Sequence, residues 1–194
     1  MLYLIHHGEA TSDAFMAQLT ESGAGQAADL STLLKMLDVQ IIYTAPYLRA
    51  LDTIYPFVHS RKTHNHFCRV EAHYDLHNIV LLPEQRPHGL PLDLVQHYYM
   101  NRQSVLGNIP EAENFAEFQR RVLDWFDNEF FQKYKDAPIP TVIIADAMVL
   151  GTIVYHLMNR VPYAVAKDVV MQLKPGAAVE FKSDGMHLQY SRVL

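Results

Sequence analysis

The chain has 194 residues, 49% of them hydrophobic and 19% charged, with a formal charge of -5. That length and composition suit one globular domain with one large core, and they exclude a disordered or low-complexity chain. The negative balance argues against a nucleic-acid partner held through its phosphate backbone, and the single cysteine, Cys68, excludes an internal disulfide or a cysteine zinc site.

The first apolar run, Leu2–Ile5, begins without a basic region before it and is too short for a signal-peptide core. No stretch reaches the roughly 18 apolar residues that span a membrane, so the expectation is a cytoplasmic protein with no membrane partner. The run ends in His6-His7-Gly8-Glu9. Thr20 then precedes a helical pattern to about Met36, with Ala27, Leu30, Leu33 and Leu34 on one face. Gln40–Thr44 reads as a strand. Tyr47 to Val58 reads as a helix that Pro56 is expected to shorten or kink. The basic stretch from His59 to His64 reads as a solvated surface.

Residues from Lys62 to Pro110 carry Pro83, Pro87, Pro91 and Pro110 and show no clean period. They are expected to form an irregular insertion at about 62–110, folded over the sheet edge, with a short helix near Leu92–Met100. The clearest helix is Glu113 to Lys135, where Phe115, Phe118, Val122, Trp125, Phe126 and Phe130 recur three or four residues apart. Thr141–Ala145 is a strand ending at Asp146, and Met148–Met158 is the next helix. Val169–Leu173 is a further strand. Ala177–Lys182 and Met186–Arg192 flank Ser183-Asp184-Gly185, a hairpin signal because Gly supplies the positive φ such a turn needs. Strand-helix units repeated in this way predict one α/β domain over residues 1–194, with a mostly parallel sheet and a C-terminal antiparallel hairpin.

Ligands of open α/β sheets bind beyond the carboxyl ends of the strands. Three such ends here carry polar residues directly after an apolar run: His6-His7-Gly8-Glu9, the segment from Thr44 to Arg49, and Asp146. Imidazoles, a guanidinium and a carboxylate at three equivalent ends mark a site. Gly8 permits a tight turn or a close approach of backbone to ligand.

The motifs at and around these ends resemble those of the histidine phosphatase (phosphoglycerate-mutase-like) superfamily. Leu4-Ile5-His6-His7-Gly8-Glu9 is similar to its Leu-x-Arg-His-Gly-Glu opening. Leu19-Thr20-Glu21-Ser22-Gly23 with Gln26-Ala27 is similar to its Leu-Thr-x-x-Gly-x-x-Gln-Ala helix start. Tyr43 to Thr53 resembles its Ser-Ser-Pro-x-x-Arg-Ala-x-x-Thr segment. Ala112-Glu113-Asn114-Phe115 stands where Gly-Glu-Ser precedes a long helix, and Thr141 to Gly151 falls on its strand-Ser-His-Gly-Gly-helix segment. The resemblance implies a three-layer α/β/α sandwich and a phosphomonoesterase. His7 would be the residue phosphorylated, and Gly8, Glu9, Arg49 and the His6 position would belong to the phosphate site. It implies a small phosphorylated molecule or phosphate as partner, with no cofactor and no resident metal. The proton donor falls on Asp75 in His73-Tyr74-Asp75, with Glu71 the second choice.

Two departures bear on that chemistry. His6 stands where the family has an arginine, and imidazole has neither the reach nor the bidentate fork of guanidinium. Asp146 stands where the family has a second histidine. A carboxylate ~4 Å from an anion costs about 4 kcal/mol at an effective dielectric of ~20. Three functions follow as expectations. One is a phosphohydrolase weakened by His6 and Asp146. A second is an inactive pseudophosphatase that binds a ligand, or a protein through the 62–110 insertion. The third is a metal-dependent hydrolase using His6, His7 and Asp146, with His73 and His77 nearby. Asp146 is also placed to accept a hydrogen bond from His7 or His6.

Overall fold

A strand buried on both faces must be apolar throughout, and two segments meet that demand. Leu2–His6 (β1) is buried at its first four positions and Thr141–Ala145 (β4) at all five. They lie side by side and parallel at the centre of a six-stranded sheet. The computed structural model describes residues 1–13, 16–63, 67–79, 115–136, 138–158, 173–183 and 188–193. The other strands are Ile41–Thr44 (β2), Arg69–Ala72 (β3), Ala178–Ser183 (β5) and Leu188–Val193 (β6), and the order is β3-β2-β4-β1-β5-β6. β2 runs parallel to both β3 and β4, whereas β5 is antiparallel to β1 and to β6. The predicted mostly parallel sheet with a C-terminal antiparallel hairpin is therefore the fold observed. The hairpin's turn, at 184–187, lies outside the described residues.

Alternation along the strands splits the core in two. Tyr3, Ile5, Ile42, Val142 and Ile144 face one way and pack with Leu30 and Leu34 of α1 (Glu21–Met36) and Ile54 and Phe57 of α2 (Leu48–Thr63). Leu2, Leu4, Tyr43, Ile143 and Phe181 face the other way. They meet α3 (Phe115–Asp124), a π-helical stretch (Trp125–Phe131), α4 (Gln132–Asp136) and α5 (Ala147–Leu157). This is the three-layer sandwich.

Three expectations change. α2 does not stop near Pro56 but continues to Thr63. Proline there removes one backbone donor, while burial of Ile54 and Phe57 on either side and the hydrogen bonds of Arg61 to Asp38 and to the Val39 carbonyl hold the helix together. The start of the expected irregular insertion contains β3, a regular edge strand. Arg69–Ala72 is mostly exposed, so it shows no apolar run and no alternation. The aromatic helix is continuous over the described residues, but its middle is π-helical. The wider turn brings residues five apart onto one another, and Trp125 stacks on Phe130 with centroids 5.8 Å apart. Leu173 is not in a strand; 169–172, and the helix expected near Leu92–Met100, lie outside the described residues.

Candidate active site

β1 and β4 are adjacent and parallel, with His6 opposite Ala145. The chain leaving β1 goes to α1 on one face, and the chain leaving β4 goes to α5 on the other. The two connections part at the carboxyl edge, as expected where crossovers diverge. β2 ends at the same level, with Thr44 opposite Ile144, and feeds the first turn of α2. His7, Arg49 and Asp146 therefore converge, and all are buried, with 8%, 1% and 6% of their surface exposed.

Arg49 bridges the other two. Its Nε donates to His7 Nε2 at 3.0 Å and its Nη2 donates to Asp146 Oδ1 at 2.7 Å. The same Asp146 oxygen lies 3.1 Å from His7 Nε2. On the other side of the ring, His7 Nδ1 is 2.7 Å from the Gly8 carbonyl. A carbonyl only accepts, so Nδ1 carries a proton. Arginine only donates, so Nε2 of the neutral ring presents its lone pair to Arg49. A protonated ring would instead donate from Nε2 to Asp146. The guanidinium also lies over the Tyr47 ring, 4.1 Å from its centroid.

Asp146 is the N-cap of α5 by position, with extended backbone, yet its side chain makes no cap hydrogen bond. The carboxylate is committed to Arg49 instead, with His7 Nε2 3.1 Å away. Burial works to raise its pKa, but the neighbouring His7 and then Arg49 outweigh it and hold the carboxyl below the usual range. Its Oδ2 is buried without a hydrogen-bond partner among the described residues.

His6 supplies no cation near neutrality. Burial, helped by the neighbouring His7, lowers its pKa to about 4 against the pull of Asp146. The backbone of Leu173 and Lys174 also pulls that pKa upward, and the ring sits edge-on to His7 at 4.6 Å, with Nδ1 buried and without a hydrogen-bond partner among the described residues. It works as a packing residue beneath that loop.

Gly8 and Glu9 are fixed by neighbours. The Gly8 amide donates to Thr53 Oγ1 at 2.9 Å, and the Thr53 hydroxyl donates to the Arg49 carbonyl at 2.6 Å. The exposed Glu9 carboxylate accepts from Thr20, and its carbonyl accepts the Thr20 amide. Gly23 allows this docking, since a Cβ there would overlap the Glu9 carbonyl oxygen.

Asp75 lies in a 3-10 turn, Tyr74–Leu76, just past β3 at the same edge. Its carbonyl accepts from Arg121, and among the described residues no hydrogen bond joins its carboxyl to His7, Arg49 or Asp146. That loop reaches the cluster through Asn78, whose amide donates to the Tyr47 hydroxyl at 3.1 Å. Glu71, the second choice, pairs with Arg69 and His73.

The expected metal set does not assemble. Among the described residues no group of three or more His, Cys, Asp or Glu side chains is placed to hold an ion. His73 accepts from the Trp125 indole and pairs with Glu71, and His77 donates to the Tyr74 carbonyl, so both are taken by neighbours. Thr53, Gln26 and Tyr47 are the contributors that sequence reasoning passed over. Gln26 and Thr53 stood in motifs without a role assigned to them, and Thr53 also stands four residues after Arg49 on one helix face.

The profile of the histidine phosphatase superfamily (branch 1) matches residues 2–192. No curated protein sequence matches the chain at a significant level. Among solved structures, phosphoserine phosphatase from Entamoeba histolytica in complex with 3-phosphoglyceric acid is 16% identical, with TM-score 0.68 over 99% of this chain and 95% of that one. Alpha-ribazole phosphatase from Shigella flexneri is 21% identical, with TM-score 0.67 over 97% and 94%. The protein histidine phosphatase SixA complexed with tungstate is 16% identical, with TM-score 0.54 over 100% and 95%. Among the described residues no helix is long and apolar enough to cross a membrane.

Proposed function

Because the chain belongs to the histidine phosphatase superfamily (branch 1), we propose that it is a phosphomonoester hydrolase of the phosphohistidine type whose own Asp146 carboxylate restrains it. The observation that carries this is the position of Asp146 Oδ1, 2.7 Å from Arg49 and 3.1 Å from His7 Nε2. An anionic oxygen there stands where an equatorial phosphoryl oxygen would have to sit to be held by Arg49 and attacked by His7.

In the proposed reaction a phosphomonoester displaces Asp146 from Arg49. The His7 Nε2 lone pair attacks phosphorus, the ester P–O bond breaks, and the leaving oxygen takes a proton from Asp75. Water, giving a proton back to the Asp75 carboxylate, then attacks the phosphohistidine; the P–N bond breaks, releasing phosphate and restoring the imidazole. His6 contributes no charge to this cage, so Arg49 is its principal cation. Neighbours crystallised with 3-phosphoglyceric acid, phosphoserine and tungstate support a small phosphorylated molecule as substrate.

The same carboxylate favours a second reading, a binding protein that has given up turnover. Hydrolysis of a phosphomonoester panel, with and without divalent metal and beside a folded His7→Ala control, separates the two. Slow, metal-independent turnover that vanishes in the control is expected. Turnover equal to the control would remove the hydrolase reading, and turnover that requires metal would replace it with a metal-dependent one.

A further inference from the structure

We infer that Gln26 is a positioning residue, which selects the nitrogen of His7 that reacts by holding the peptide against which the ring is protonated. The inference rests on His7 being the reacting group and extends to how its tautomer is set.

The Gly8–Glu9 peptide unit has two polar ends. Its carbonyl accepts the His7 Nδ1 proton at 2.7 Å, and its N–H, on Glu9, donates to Gln26 Oε1 at 2.8 Å. Both bonds lie in one rigid plane, so an acceptor at Gln26 orients the carbonyl toward His7. If that plane turned, Nδ1 would lose its acceptor and the proton would have reason to move to Nε2, where it would block attack.

A second contact keeps Gln26 in place. Gly176 has φ of 81°, and a Cβ built on it would lie 3.2 Å from Gln26 Cβ and 3.3 Å from Cγ. The positive φ and the close approach both call for glycine. The Gly176 amide in turn donates to the carbonyls of His6 and His7, at 3.1 and 3.3 Å. Gln26 thus touches the His6–Glu9 turn twice, directly through Glu9 and indirectly through Gly176. Thr53 holds the preceding peptide through the Gly8 amide, so it fixes the turn but does not address the carbonyl itself.

The test reads the tautomer, which does not depend on turnover. Long-range proton-nitrogen correlation spectra of the full chain report which imidazole nitrogen is protonated, with His7 assigned by its loss in His7→Asn. The wild type is expected to show His7 as the Nδ1–H form. Gln26→Met keeps the packing on Gly176 but offers no acceptor oxygen, and Gln26→Ala removes both. Either is expected to move the ratio roughly fivefold toward Nε2–H, the scale of one ordinary hydrogen bond. Gln26→Glu, which restores an acceptor, is expected to keep the wild-type signature. The inference is overturned if either acceptor-free variant folds with the Nδ1–H signature unchanged, or if Gln26→Glu shifts as far as Gln26→Met. If the tautomer responds as stated while no phosphomonoester is hydrolysed, the positioning role stands and the hydrolase reading fails.

Discussion

The turn after β1 and the turn after β4 meet at the carboxyl edge of the sheet but are finished to different degrees. After β1, the ring of His7, both polar groups of the Gly8–Glu9 peptide, the Gly8 amide and the Glu9 carboxylate are all hydrogen-bonded, to partners on α1, α2 and the turn itself. After β4, Asp146 has one oxygen bonded to Arg49 and 3.1 Å from His7 Nε2, the other buried without a partner among the described residues, and a helix N-terminus that its side chain leaves uncapped. A buried polar atom left unpaired costs about 1–3 kcal/mol. On the proposed reading the β1 turn mounts the nucleophile, and the Asp146 charge at the β4 turn restrains it.

Replacing both residues should have the largest effect. His6→Arg with Asp146→His exchanges a neutral ring for a cation and removes an anion from the proposed phosphate position. A single charge contact of about 4 kcal/mol corresponds to roughly three orders of magnitude in rate. Between two and three orders of gain in kcat/KM is expected. A folded double variant with no gain would show that the electrostatic contrast between the turns does not limit activity.

Arg49 is the joint between the two turns, so its loss should be the largest stability effect. Arg49→Met leaves a buried carboxylate without its strongest partner and should cost about 3–5 kcal/mol in denaturant unfolding. Removing the anion as well, in Arg49→Met with Asp146→Leu, should recover part of that loss, because two apolar groups carry no desolvation cost. If the double variant is no more stable than Arg49→Met, the pair does not share one network.

How much of this was legible without coordinates follows burial. β1 and β4 are buried on both faces and therefore announce themselves as apolar runs. β3 is an edge strand with Arg69 and Glu71 in it, so nothing in its composition separates it from a loop. The three polar strand ends were legible because each directly follows an apolar run. The bond from Arg49 to Asp146 was not, since it depends on the register that sets Thr44 beside Ile144. Gln26 was visible only as part of a helix-start motif, because its partner is a backbone amide 17 residues away.

Titration separates the turns in a third way. His6 has its pKa lowered to about 4 from 6.5. Between those values the unfolded chain binds a proton that the native state excludes, so stability rises with pH across the window and is complete above about 6.5. His6→Asn should flatten that rise by at most about 3 kcal/mol. Asp146 is held below the usual carboxylate range, so its contribution is full above that range and is lost only as pH falls through the lowered value. Two unfolding losses on acidification are expected, the His6 loss first. An unchanged slope in His6→Asn would mean that the ring beside the nucleophile is not held neutral.

The smallest effect tests the finished side. Thr20 caps α1, accepting from the Gly23 amide at 3.0 Å, and its hydroxyl also reaches the Glu9 carboxylate at 2.8 Å. Thr20→Ala should cost about 1 kcal/mol, the ordinary value of an N-cap. Asp146→Ser supplies the counterpart: a serine at that position is able to cap α5 once it no longer serves Arg49. The cap gained should offset part of the ion pair lost, so Asp146→Ser should be more stable than Asp146→Ala by a similar amount. Equal stability of those two variants would mean that α5 gains nothing from a cap, and that the carboxylate gave up no capping role when it turned toward Arg49.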